Sequence, residues 1–529
     1  MGAPESVAAQ PVATNLTGYG TRGYRSYVLT ALLVISVLNG VDRGLLSIMS
    51  EPVIGDLNLS DLQFGLLTGP AFAVVYSVMG VPIAFLSETR SRVWIMAICI
   101  GLWSLATALT GTAHAVQWGA YAISGFAMMF MFRMMVGIGE AGCTPPSTSI
   151  ISDYYPPAKR STALGFYAMH GTLGALSANL VGGPLNEALR RHFIAAEAAA
   201  RGIAEPTLKM CAPANLHTLP DDVAAVCRHG ASMGWRGAFI LMGIVGIVAM
   251  IVFKLTVREP PRGHSDAPDR QAHARASLRD VARVLASKPS FWWMTAGATT
   301  ATFSTHGIAA FQTSYVRRVL GFTQLEASLF FNVPSAITAS IGVVFTGWLA
   351  ERMARRHPNA IAWLPAVGLL LCVPCYLAAF STNNSGLAIA MAATGALVKY
   401  GYAGSQYTIA QGVVGPNMRA TTTAVLLLIV QIVGSGLGPL IAGGLSDLFF
   451  HLQVVDAGLG DLSRSQCRGA ALAGLSPQLK ALCGTADPHA LRQSLLTLVS
   501  LLVIPAGCFL MALRTLQRDL NNRAPSGAG

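Results

Sequence analysis

The stretch YVLTALLVISVLNGVDRG, Tyr27 to Gly44, decides the fold. An apolar run leads straight into Asn39, Asp42 and Arg43 with no turn signal between them. A helix needs about 20 mainly apolar residues to cross a bilayer at about 1.5 Å per residue. The run reaches that length only by carrying the adjacent carboxylate and guanidinium into the membrane with it. Other runs of this kind follow it. The chain of 529 residues is 53% hydrophobic and 11% charged, with a mean hydropathy of +0.52. Soluble domains carry about 25% charged residues. The sequence therefore reads as an all-α polytopic membrane protein.

Twelve transmembrane helices are expected over 27–50, 62–86, 93–113, 122–150, 161–184, 234–257, 291–316, 325–350, 360–381, 385–412, 420–447 and 490–513. Pro145-Pro146 must break or kink the fourth. Residues 1–26, small and polar, read as a disordered cytoplasmic terminus without a signal-peptide pattern. The net charge of +12 invites a nucleic-acid reading, but its distribution follows the membrane. With the N-terminus inside, 21 Lys/Arg fall in inside segments and 12 in outside segments, leaving Arg43, Arg133 and Lys399 within helices. The positive-inside rule then places both termini in the cytoplasm, in a bacterial inner membrane, and no nucleic-acid partner is expected.

The chain repeats. A polar segment, 258–290, separates a first six-helix bundle, 27–257, from a second, 291–513, followed by a cytoplasmic tail, 514–529. Glu88 follows the second helix and Glu351 the eighth, 263 residues later. Arg160 and Arg419 recur 259 apart after the fourth and tenth. Cys211 and Cys227 lie 16 apart in the loop 185–233; Cys467 and Cys483 lie 16 apart in the loop 448–489. Both loops fall outside, where disulfides persist, so Cys211–Cys227 and Cys467–Cys483 are expected as one staple per loop. Two such halves related by an axis along the membrane normal form one transporter architecture, with substrate bound between them near the midplane.

The loop GWLAERMARR (Gly347 to Arg356), its degraded copy around Glu88 and Arg92, the RMMVGIGEA of helix four and the glycine-rich helices five and eleven resemble the major facilitator superfamily. That resemblance implies gating loops at Glu88, Arg92, Glu351, Arg352, Arg355 and Arg356. Thr89 stands where an arginine is usual and Ser91 where a glycine is, implying a weaker clasp in the first half. Asn39–Arg43, Arg133–Ala141, Ile151–Tyr155 and Gly436–Asp447 are similar to the spinster group of lipid transporters. The resemblance implies alternating access and an amphipathic anionic substrate, such as a lysophospholipid or a sphingosine-phosphate-like lipid. Symporters of small organic anions share the Asp-Arg and Arg…Glu-Ala patterns, so that substrate class is the alternative.

Ionisable side chains at bilayer depth cost several kcal/mol unless paired or hydrated. Counted from the outer helix ends, Asp42 lies about 12 Å deep and Arg133 about 16 Å, which makes an Asp42–Arg133 pair plausible. Glu140 shares the Arg133 face about two turns on. Adjacent residues on a helix point about 100° apart, so Asp42 and Arg43 cannot aim at one spot, and Asn39 can hydrogen-bond either. Asp42 and Glu140 are read as proton-coupling carboxylates, with Arg43 and Arg133 as counter-ions or docking points for an anionic headgroup. A charge network that only fixes the packing of helices one and four is the structural alternative.

Lys399, the intramembrane lysine of helix ten, is a candidate second anion contact, with Tyr400, Gln406 and Tyr407 beside it. His306 and His170 are read as packing histidines, and the run Met128–Phe132 as a packing or lipid-facing surface. No GxxxxGK[ST] loop or HExxH pattern occurs, and no nucleophile with an oriented base stands out. A monomeric carrier of a lipid or small anion and of protons is expected, with no enzymatic activity, metal or cofactor.

Overall fold

The computed structural model describes residues 18–118, 121–211, 219–265, 278–357, 359–415, 418–458, 462–467 and 474–521. The first bundle contains α1 (Arg22–Ile48), α2 (Asp61–Thr89), α3 (Arg92–Thr110), α4 (Gly125–Tyr154), α5 (His170–Arg201) and α6 (Asp221–Thr256). The second contains α7 (Pro289–Val319), α8 (Gln324–Ala354), α9 (Ala360–Ser381), α10 (Ser385–Lys399, continued as Tyr402–Gly412), α11 (Thr421–Asp456) and α12 (Pro477–Asn521). Among the described residues, nine of these helices are long and apolar enough to cross a membrane. The other three, α5, α7 and α10, bring the long helical segments to the expected twelve.

Sequence chemistry explains the interruptions. The fourth helix breaks at Gly142-Cys143, and Pro145 and Pro146 fall in the first turn of its continuation, Thr144–Tyr154. Proline is tolerated there because its missing N–H would have no intrahelical partner. The fifth helix carries Pro184 inside it and runs on to Arg201, and α6 already begins at Asp221. Much of the segment expected as a loop is thus helix. Cys211 bonds Cys227, and Cys467 bonds Cys483. Each bond sits in a small apolar cluster, with Ile194, Ala198 and Val226 around the first, and Phe450, Val454 and Ala486 around the second. The described part of the interdomain segment adds a short helix, Leu278–Ala286, at the opposite end of the molecule; residues 266–277 of that segment lie outside the described residues. We call the two ends the disulfide end and the linker end.

Within the first bundle α1 packs on α5, α3 on α4 and α6, and α2 on α4. Within the second, α7 packs on α11 and α12, α8 and α9 on α10, and α11 on α12. The bundles meet where the start of α2, Asp61–Thr68, lies along α11, and where α5 lies against α8. Glycine makes the first seam possible. A Cβ added at Gly443 would fall 2.5 Å from the carbonyl carbon of Asp61, and one at Gly65 2.9 Å from that of Pro439. Backbone therefore rests on backbone across the halves. Gly443→Val is expected to hold this seam apart. A Ser50→Cys reporter, whose position is 0% exposed, should then react with an impermeant maleimide about tenfold faster, a shift of about 1.4 kcal/mol.

Candidate functional site

The central charged groups come from α1 and α4. Arg43 Nε donates to Glu140 Oε2 in an ion pair; the Glu140 side chain is fully buried while 35% of Arg43 remains exposed. The Arg43 guanidinium also lies over two α2 rings, 4.8 Å from the centre of Phe72 and 4.6 Å from that of Tyr76. Such stacking adds about 0.5–2 kcal/mol. Asp42 points elsewhere. Its Oδ2 accepts from Thr107 Oγ1 of α3 at 2.8 Å, and no ion pair to Arg133 forms. Depth brings the two residues into electrostatic reach, but helical phase turns the Asp42 side chain toward α3. Arg133, 3% exposed, donates no described hydrogen bond and lies 5.6 Å over Phe72. The Asn39 amide nitrogen is likewise buried without a partner, so the expected hydrogen bond to Asp42 or Arg43 does not form.

Across the bundle, Lys399 is 4% exposed at the point where α10 is interrupted. Its ammonium lies 4.9 Å from the Tyr376 ring centre and 4.8 Å from that of Tyr400, with no carboxylate ion pair described. Gln406 is buried and Tyr407 is 36% exposed. His306 is not packed away: the residue is exposed, and its Nδ1 lies 3.1 Å from the Thr302 carbonyl. His170 Nδ1 meets the Tyr167 carbonyl at 2.8 Å, and its ring lies 4.8 Å from that of Tyr167. In the methionine run Met129 is 0% exposed and Met131 61%.

The two copies of the loop expected to gate differ. Arg92 is buried and donates to Asp153, to Glu259 at 2.7 Å, to Ser149 at 2.8 Å and to the Pro260 carbonyl at 2.8 Å. The start of the interdomain segment is thereby strapped onto α3 and α4; Gly263 N donates to Asp153 at 3.0 Å and Tyr154 Oη to the Arg258 carbonyl at 2.7 Å. Glu88 is exposed. In the second half Glu351 and Arg355 pair at 3.1 Å while both stay mostly exposed, Arg352 lies 5.7 Å over Trp348, and Arg356 is exposed.

Sequence reading missed the largest charge cluster, which joins the halves at the disulfide end. Arg318 of α7 forks onto both oxygens of Asp61 at 3.1 Å and pairs with Glu51 at 2.8 Å and Asp487 at 3.4 Å. Arg464, three residues before Cys467, reaches Asp61 at 3.0 Å, Asp447 at 3.0 Å and Asp487 at 2.7 Å. The backbone N–H groups of Asp61 and Leu62 donate to Asp447 at 3.2 and 2.9 Å. The ion pairs described between the two halves all lie at this end. One signal for it was in the sequence: Asp447 closes the repeated glycine stretch of helix eleven. Its partners are spread over more than 400 residues and carry no common motif.

The fold is that of a membrane transporter. The family model for the Major Facilitator Superfamily matches residues 32–196 and 229–448. A crystal structure of a bacterial homolog to human lysosomal transporter Spinster, inward-facing and unoccupied, is 37% identical, has a TM-score of 0.81, and the match covers 94% of this chain and 99% of that one. Its inward-facing, occupied form gives a TM-score of 0.78. Among curated relatives, an MFS-type efflux pump of Mycolicibacterium smegmatis is 28% identical over 79% of this chain and 83% of its own length. Protein spinster of Drosophila melanogaster is 25% identical over 84% and 67%. The chain belongs to the major facilitator superfamily, among its spinster-like members, and is a multi-pass membrane transporter rather than an enzyme.

Removing Arg464 would leave Asp61, Asp447 and Asp487 short of a buried counter-charge. Breaking a buried pair from one side costs about 3–5 kcal/mol. Arg464→Ala should therefore lower the thermal unfolding midpoint by several degrees. Arg464→Lys should recover only part of the loss, because an ammonium cannot reproduce the planar fork.

Proposed function

We propose that this chain is a proton-coupled carrier of an amphipathic anion, a lysophospholipid or sphingosine-phosphate-like lipid, working by alternating access between its two halves. One observation carries the reading. Arg43 is neutralised by a fully buried carboxylate, yet a third of its side chain stays open to the interior. A proton arriving on Glu140 removes that counter-charge and leaves Arg43 to attract an anionic headgroup. Proton binding and anion binding then favour one another, and by linkage the effect is reciprocal. The arginine fork suits phosphate or carboxylate oxygens. Arg133 and, from the other half, Lys399 supply further positive charge for the same headgroup.

Lipid is favoured over a small organic acid by the likeness to the spinster group. We place both termini in the cytoplasm on the strength of the arginine and lysine asymmetry. The joined disulfide end then faces outward, and this conformer is the inward-facing one.

Proteoliposomes test the reading. Under an imposed pH gradient the native protein should move a lysophospholipid faster than a short-chain monocarboxylate, and a protonophore should abolish the difference made by the gradient. Asp42→Asn and Glu140→Gln should each lose the gradient-driven component by about tenfold or more. In Glu140→Gln, anion binding should become independent of pH. Full gradient dependence in both variants would sink the coupling role.

A further inference from the structure

The two membrane carboxylates are not equivalent. Glu140 meets Arg43 beside the α2 rings; Asp42 lies within hydrogen-bonding reach of Glu140 but gives its Oδ2 to Thr107 of α3. Asp42 is 4% exposed; Oδ2 takes the Thr107 hydrogen bond, and Oδ1 has no partner. Asp42 borders a cavity of about 10 Å³ between α1, α3 and α6, which Leu38, Trp103, Ser104, Thr107, Met242 and Gly246 also line. Ser104, 1% exposed, has a hydroxyl that is unpartnered as well. A buried, polar cavity of about 10–15 Å³ holds one water, provided at least two polar groups bind it. Asp42 Oδ1 and Ser104 Oγ are two such groups.

We infer that Asp42 exchanges its proton through a single water held by Ser104 in the α1–α3–α6 seam, away from the Arg43 face that meets the substrate. The inference rests on the proton-coupling role proposed above and adds the route. Ser104 is the positioning residue: its hydroxyl orients the water, which gives one proton to Asp42 Oδ1 and takes one from bulk solvent when the seam opens to it, so that a neutral water remains. Arg43 follows it on α1, and Arg133 and Glu140 act on it from α4. From α3 come only the hydroxyls of Thr107 and Ser104, and α6 lines the cavity with Met242 and Gly246. Among the described lining residues, no other ionisable group competes for the proton on the seam side. Loading of Asp42 and headgroup binding at Arg43 can then occur without sharing one channel.

The test compares native protein, Ser104→Ala and Asp42→Asn in proteoliposomes. Ser104→Ala is expected to displace the pH profile of transport by about one unit and to slow proton uptake about tenfold. The affinity for a lysophospholipid at fixed pH should stay within about twofold, because Ser104 touches no headgroup group. An unchanged pH profile in folded Ser104→Ala overturns the inference. A second measurement is made on the native protein. The infrared carboxyl band of Asp42, assigned by its loss in Asp42→Asn, should still shift on transfer to D2O when the central site is saturated with dodecyl phosphate. If saturation blocks that exchange, the seam route is wrong. Gradient-driven transport surviving in Asp42→Asn would instead overturn the coupling role of Asp42, so the two failures are distinguishable.

Discussion

A charge inside an apolar bundle must find an opposite charge, and most of this architecture follows from that constraint. Desolvation of each ion costs several kcal/mol, and only close, multiply bonded partners offset it. The chain meets the requirement in two ways. At the disulfide end two arginines, Arg318 and Arg464, sit among Glu51, Asp61, Asp447 and Asp487, in pairs of 2.7 to 3.4 Å. At the centre, two arginines and two carboxylates are present, but only Arg43 and Glu140 join. The first arrangement suits a closure that must hold. The second leaves Asp42 and Arg133 without ion-pair partners, which suits a site whose charges must be rearranged.

The repeated loops after the second and eighth helices show how a sequence motif and a structural role can part. The first copy lost residues usual for the superfamily, which implied a weaker clasp. In the structure Arg92 of that copy is the buried one, tied to Asp153 and to Glu259 of the interdomain segment. The second copy keeps its full complement of charges, and they stand in the open. The difference follows from geometry at the linker end. The interdomain segment begins directly after α6 and folds back onto α3 and α4, whereas Glu351 and Arg355 of the second copy pair mainly with each other.

Much of the fold was legible because lipid imposes a simple pattern. Apolar runs of membrane-crossing length, interrupted by basic loops, gave the helices, and cysteine spacing gave both disulfides. Pro184 misled, since the run of apolar residues ends there while the helix continues on water-compatible residues to Arg201. In the site, the four charged residues of helices one and four were read from depth alone. Their pairing was not, because about 100° of helical phase separates Asp42 from Arg43 and the sequence does not state where that phase begins. Arg43 took Glu140, and Thr107 of α3 took Asp42. The cluster at the disulfide end was illegible for a different reason. Its members become neighbours only when α2, α7, α11 and the segment before Cys467 are brought together.

The glycines at the seam carry a mechanical meaning. Dispersion falls away so steeply that a gap of about 0.5–1 Å forfeits a quarter to a half of each contact. Main chain lying on main chain, at Gly443 against Asp61 and Gly65 against Pro439, has no side chain to stretch across such a gap. The Asp61 and Leu62 amides that bond Asp447 part in the same movement. The disulfide end thus acts as a snap fastener rather than a spring, so half-open states, in which both ends of the pathway would leak, find little to stabilise them.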